Sequence, residues 1–131
     1  MEDETLRRHT AGVTVELLGF VSAEDLVSLY AACRGAYYAP LNEDYGYVTV
    51  EAFLSGKPVV TTSDAGGVLE FVTDAETGVV ADPSPDAVAE TIDRFWSLPT
   101  TRLKEMGEAG RARVQGITWD RVIDRLTESI R

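Results

Sequence analysis

The sequence predicts an α/β domain, a parallel sheet with covering helices, and three observations carry that expectation. Four short, β-rich apolar runs recur at intervals of roughly twenty residues, too long for hairpin turns and long enough for a crossover helix each. Beyond Pro83 the strand pattern stops and apolar residues recur at helical spacing. The length, 131 residues with 44% hydrophobic, suits one domain with an ordinary core.

The first apolar run is Val13-Thr14-Val15-Glu16-Leu17-Leu18. Ser22-Ala23-Glu24-Asp25 then reads as a capping box, with Ser22 as N-cap and Asp25 three residues on. Leu26, Leu29, Tyr30 and Cys33 follow on one helical face, which is expected to be core, with Cys33 a small core residue. A second strand is expected over Gly35–Ala39. After Gly46, Tyr47–Leu54 forms a helix that Gly56 and Pro58 end before a third strand at Val59–Thr62. Gly66-Gly67 introduces a short third helix, Val68–Val72, and Gly78–Ala81 is the fourth strand. Ser84-Pro85 is an N-cap and first-turn pair, and Val88, Ile92, Phe95 and Trp96 repeat at helical spacing as far as Pro99. Trp96 reads as packing. Thr101–Gln115 is a further helix, and Thr118 caps a last one with Trp119, Val122, Ile123, Leu126 and Ile130 on one stripe. Residues 1–131 are thus expected to be a single domain whose 84–131 part is mostly helical, with a frayed acidic start at Met1–Glu4. Four short strands leave a sheet edge incompletely covered, so the chain is expected to be a piece of something larger.

Composition excludes several function classes. Twenty-two acidic residues against twelve basic ones give a net charge of −10, which opposes binding to nucleic acid or anionic lipid. All the basic residues but Lys57 and Lys104 are Arg, a balance that with the acidic excess suits a salt-rich cytoplasm. One cysteine, Cys33, and one histidine, His9, support neither a disulfide framework nor a Cys- or His-based metal site. No run approaches the roughly 18 apolar residues of a membrane span, and the N-terminus is acidic where a signal peptide is basic and then apolar. The expected location is the cytoplasm, with peripheral membrane contact of a longer parent left open.

The segment with chemical promise is Pro40–Glu51, which leaves a strand and enters a helix. In open parallel sheets ligands sit at the carboxyl ends of strands, facing helix N-termini. Free amides at Tyr45, Gly46, Tyr47 and Val48, with the positive end of the helix dipole behind them, suit an anion such as a diphosphate, and Gly46 permits close approach. Glu43 and Glu51 bracket that site, and each carboxylate accepts from a pair of hydroxyls. Spacing alone describes more readily a solvated loop acid at Glu43 and an exposed or helix-capping acid at Glu51.

The wider context is more specific. Pro40–Glu51, then Ala52–Val60, then Asp64-Ala65-Gly66-Gly67 with Glu70, resembles the donor-binding half of the retaining GT-B glycosyltransferases, family 4 (group 1 type). The resemblance extends to Leu18-Gly19-Phe20-Val21 with Leu26 and Tyr30, and to Glu76-Thr77-Gly78, Asp82-Pro83 and Trp119-Asp120, so it covers about Val13–Ile130. It implies the C-terminal half of a GT-B fold, binding a nucleotide-diphospho-sugar donor with no metal or other cofactor. By the same resemblance Glu43 matches the first, catalytic Glu of the family's Glu-seven-Glu motif, which accepts hydrogen bonds from the hydroxyls of the transferred sugar, and Glu51 the second, which holds the ribose. Tyr45, Gly46, Tyr47 and Val48 match the amides that meet the sugar and diphosphate. Phe20 and Val21 match a loop flanking the base, and Gly66, Gly67 and Glu70 a glycine-rich turn near the interdomain cleft, where a structural role is equally expected.

Two departures bear on function. Asp44 stands where the family has Gly, adding a negative charge and a Cβ beside the anion site, which bears on donor affinity or selectivity. The family also has an earlier strand and helix with a basic pair on the diphosphate, and a preceding acceptor domain. Arg7, Arg8 and Lys57 do not match that pair. The chain is therefore expected to be the donor-binding part of a longer transferase, inactive without its N-terminal domain. The alternatives are a noncatalytic interaction or regulatory module with a degraded donor site, or an epimerase or phosphorylase of the same architecture.

Overall fold

Val59-Val60-Thr61-Thr62 is β-branched at every position, stiff at χ1 and suited to a pleated surface rather than a helix. In the computed structural model, which describes residues 15–128, these residues form a strand between β1 (Ala36–Tyr37) and β3 (Gly78–Ala81). This central strand is β2 (Val59–Thr62), and both neighbours run parallel to it in the order β1-β2-β3. Ala36 faces Val59, Val59 faces Gly78 and Thr62 faces Ala81. All four residues of β2 are buried, as in a parallel strand covered on both faces.

The covering elements are α1 (Ala23–Ala32), α2 (Tyr47–Leu54), a 3-10 turn (Gly67–Glu70), α3 (Pro85–Trp96), α4 (Thr100–Val114) and α5 (Trp119–Glu128). Two of them start as their sequences dictate. Ser22 Oγ accepts from the Asp25 amide at 3.1 Å, and Ser84 Oγ accepts from the Ala87 amide at 3.2 Å with Pro85 in the first turn. Successive strand side chains point to opposite faces, so Val59 and Val60 enter different cores. Val59 meets Ala52 and Phe53 of α2, Val68, Phe71 and Val114 of α4, whereas Val60 meets Phe95 of α3 and Leu103 of α4. Burying a side chain such as Phe53 stabilises by about 1.5–3 kcal/mol. Because α4 contributes to both cores, it ties the two faces of the sheet together.

Several expectations need correction. Of the run expected as a first strand, Val13 and Thr14 lie outside the described residues, and Val15–Leu18 join no ladder and are exposed. A strand persists only with a paired neighbour, and the free edge beside β1 is two residues long. The second expected strand shrinks to those two residues. The third expected helix is the single 3-10 turn. Leu26 and Leu29 are not core: α1 has no buried residue and meets the first core through half-buried Tyr30. Cys33 is half-buried, its thiol donating to the Tyr30 carbonyl at 3.3 Å. Trp96 packs on the surface rather than inside, 66% exposed, with the Arg34 guanidinium 4.9 Å from its ring centroid. On α5, Trp119, Val122, Ile123 and Leu126 are all exposed. The Met1–Glu4 start, Arg7, Arg8, His9 and Ile130 lie outside the described residues.

Candidate functional site

Beyond β1 the chain crosses the carboxyl end of β2 and enters α2, and backbone pairing fixes that path. The amides of Asn42 and Glu43 donate to the Asp64 and Ala65 carbonyls at 2.9 and 3.1 Å, and the Gly67 amide returns a bond to the Glu43 carbonyl at 2.6 Å. Glu43 thus forms a parallel bridge with Gly66, while Asn42 takes a left-handed φ of 50° to make the bend. The two glycines are needed for this closeness. A Cβ on Gly66 would lie 2.6 Å from the Glu43 carbonyl oxygen, and one on Gly67 would overlap the Asp44 carbonyl. Of the two roles left open for Gly66 and Gly67, the packing one is directly visible, and Glu70 is exposed at the end of their turn.

The Glu43 side chain is half-buried and oriented from two sides. Its Oε2 accepts from the Tyr38 hydroxyl at 3.2 Å and its Oε1 from the Asp44 amide at 3.1 Å. Burial, and then this bond to Glu43, push the Tyr38 hydroxyl above its ordinary pKa. Gly46 is the N-cap of α2, buried, with φ 77°; a Cβ there would lie 2.9 Å from Val68 Cγ2. The close approach that Gly46 permits is therefore that of Val68 from within the domain. Tyr45 packs edge-on against Phe71 at 5.3 Å and against the exposed Tyr47 ring at 5.2 Å. The amides of Tyr47 and half-buried Val48 open the helix and carry the positive end of its dipole.

Glu51 lies further along α2, exposed, and its Oε2 accepts from the Tyr30 hydroxyl of α1 at 3.2 Å. Burial, followed by the charge and hydrogen bond of Glu51, pushes Tyr30 up to about 12. Phe20, 99% exposed, and Val21 line a separate groove on α1 with Leu18, Ser28 and Leu29. The fold therefore gathers Glu43, Tyr45, Gly46, Tyr47 and Val48 at one helix entrance, ties Glu51 to α1, and leaves Phe20 and Val21 on another side of α1. Beside that entrance, at the ends of all three strands, a cavity of about 290 Å³ is lined by Pro40, Leu41, Thr62, Asp64 and Ser84, with neither glutamate. Sequence reasoning did not single out Tyr38, or Thr49, whose Oγ1 is buried in the first turn of α2 with no partner among the described residues. Tyr38 stands five residues before Glu43, a usable signal. Tyr30 lies in the resemblance, but its pairing with Glu51 spans 21 residues and has no local sign.

Among the described residues, no three His, Cys, Asp or Glu side chains cluster to hold a metal ion, and no helix is long and apolar enough to cross a membrane.

The family model for glycosyl transferases group 1 matches residues 3–113. The alpha-1,3/1,6-mannosyltransferase ALG2 of Homo sapiens is 36% identical over 104 residues, covering 79% of this chain and 24% of the relative. HepE from Anabaena, solved in complex with UDP and glucose, superposes with a TM-score of 0.73 at 26% identity over 98% of this chain and 35% of its own. The C-terminal domain of a glycosyl transferase group 1 family protein, LpcC from Francisella tularensis, shares the fold with a TM-score of 0.70 at 22% identity, over 88% of this chain and 59% of that one. The chain spans about a quarter to a third of the length of ALG2 and HepE. With a Rossmann-like parallel sheet and the sequence of the C-terminal half of a GT-B fold, the chain belongs to the glycosyl transferase group 1 family.

Proposed function

We propose that this chain is the donor-binding part of a retaining glycosyltransferase, taking a nucleotide-diphospho-sugar at the entrance of α2. The observation that carries the reading is the Glu43 carboxylate, held by the Tyr38 hydroxyl and the Asp44 amide beside the first amides of α2. Each Glu43 oxygen retains acceptor capacity for a sugar hydroxyl. Glu43 thereby orients the donor sugar, the amides of Tyr45, Gly46, Tyr47 and Val48 meet the diphosphate, and Glu51 accepts from the ribose. The similarity to HepE, which was solved with UDP and glucose bound, supports this donor class.

In such a transfer the protein chiefly stabilises negative charge developing on the leaving diphosphate. The helix N-terminus supplies that here without a metal, contributing about 0.3–1 kcal/mol when exposed and about 2 kcal/mol when partly buried. That is modest, and the exposed Asp44 carboxylate opposes it. Turnover therefore requires the acceptor-binding domain of a longer protein, and the isolated chain is inactive.

Calorimetric titration of the chain with UDP, GDP, ADP, UDP-glucose and GDP-mannose tests the reading. The expected result is preference for one base, weakened about tenfold or more in Glu51→Ala, as loss of a charge-assisted bond implies. No binding to any nucleotide would mean either that the earlier strand with its basic pair is required or that the site has decayed into the noncatalytic module that Asp44 suggests, and the same titration of the longer protein separates the two. Sugar transfer by the isolated chain would overturn the requirement for a second domain.

A further inference from the structure

At the end of the sheet opposite the Glu43 loop, where β2 begins, lies a second cavity of about 350 Å³. Arg34, Lys57, Lys104 and Arg111 all line it, and the one acid in its wall is Glu108. Four of the twelve basic residues of a chain with net charge −10 thus converge on one pocket. Ordinary surface statistics of so acidic a chain run the other way.

Structural duties account for part of this convergence. Lys57 Nζ donates to the Ala31 and Cys33 carbonyls at 3.1 and 2.9 Å, capping the end of α1, and Arg34 donates to the Trp96 and Leu98 carbonyls at 3.0 and 2.9 Å. Carbonyls satisfy donors but neutralise no charge. Arg111 approaches Glu108 only at 3.7 Å, and both residues are part-exposed, so that pair is weak. The amino end of α4 adds to this: Thr100 lines the pocket, and the N-cap position is Pro99, which offers no side-chain cap. The first amides of a 15-residue helix therefore open beside the cations.

We propose that this pocket binds a phosphate group, as inorganic phosphate or the phosphomonoester of a small polar molecule. Its volume is at the lower end of small-molecule sites, enough for a phosphate and a few further atoms. The site is separate from the donor entrance, because β2 places about 10 Å of strand between its first and last residues. Occupancy would cross-link α4 to the Gly56-Lys57 turn and to the Arg34 segment, joining elements that each reach the sheet. A phosphate here acts as a stabilising or regulatory ligand rather than as substrate.

The test is a 1H–15N NMR titration of the 131-residue chain with inorganic phosphate and, in a second arm, glycerol 3-phosphate, at ionic strength held constant with sodium chloride. Saturable shifts at the Gly56, Thr100 and Lys104 amides are expected, with affinity about tenfold weaker in Lys104→Gln and weaker again in Lys104→Glu. Lys104 is exposed, so neither variant disturbs a core. Tighter binding of glycerol 3-phosphate identifies a phosphomonoester as the occupant, and equal binding identifies phosphate alone. Shifts confined to residues 45–48, no saturation, or an unchanged response in Lys104→Glu would overturn the proposal. Glu51→Ala keeps this response whatever its effect on nucleotide, which separates the two sites.

Discussion

Each candidate carboxylate accepts from a tyrosine hydroxyl, Glu43 from Tyr38 and Glu51 from Tyr30, and the acidity of both tyrosines records it. Tyr30 is raised from 10.0 to about 12, mainly by burial and then by Glu51. The folded value lies above the unfolded one, so the contribution is fully present below pH 10 and is lost as pH rises from 10 to about 12. In urea titrations across that window, Tyr30→Phe is expected to flatten the alkaline loss of stability, while costing at most about 1 kcal/mol at neutral pH. An unchanged alkaline loss in the variant would rule this origin out. Glu43 and Glu51 were legible from their surroundings in sequence; the pairing of Tyr30 with Glu51, made across two elements, was not.

At the scale of elements, α4 packs closely on the end of α2 because Gly107 and Gly110 carry no side chain. A Cβ on Gly107 would overlap the Gly56 carbonyl oxygen, and one on Gly110 would overlap the Phe53 ring. Helix propensity alone predicts that Gly107→Ala stabilises by about 0.5–1 kcal/mol. Overpacking at a rigid backbone contact costs about 1–3 kcal/mol, so the steric term wins. A lowered urea midpoint at unchanged m-value is the expected outcome, and a raised midpoint would show that α4 can withdraw. The start of α3 was readable because Ser84 and Pro85 act within one turn. The short 3-10 turn was not, because the Gly67 amide is claimed by Glu43, 24 residues earlier.

The whole molecule carries net charge −10 yet exposes apolar faces on α1 and α5, including Val27, Trp119, Ile123 and Leu126. Charge repulsion keeps copies apart at low salt, and screening shortens its reach to about 3 Å at 1 M. Sedimentation is expected to show self-association that grows from low to high salt. The double substitution Trp119→Gln and Leu126→Gln should reduce it while changing stability by no more than about 0.5 kcal/mol, since both side chains are already in solvent. A monomer at every salt concentration would count against this account.

The sequence by itself determined the α/β class, the places of β2 and β3, the starts of α1 and α3, and the segment that carries the two glutamates. These follow from interactions within a turn or a short run: β-branching, side-chain caps and apolar periodicity. The tertiary structure alone decided that Val15–Leu18 form no ladder, that α1 and the α5 stripe face solvent, that Trp96 stacks under Arg34, and that four cations meet beside Gly56. Each of those outcomes depends on which distant segment occupies the neighbouring space, and a periodic pattern records that a face is apolar without recording what covers it.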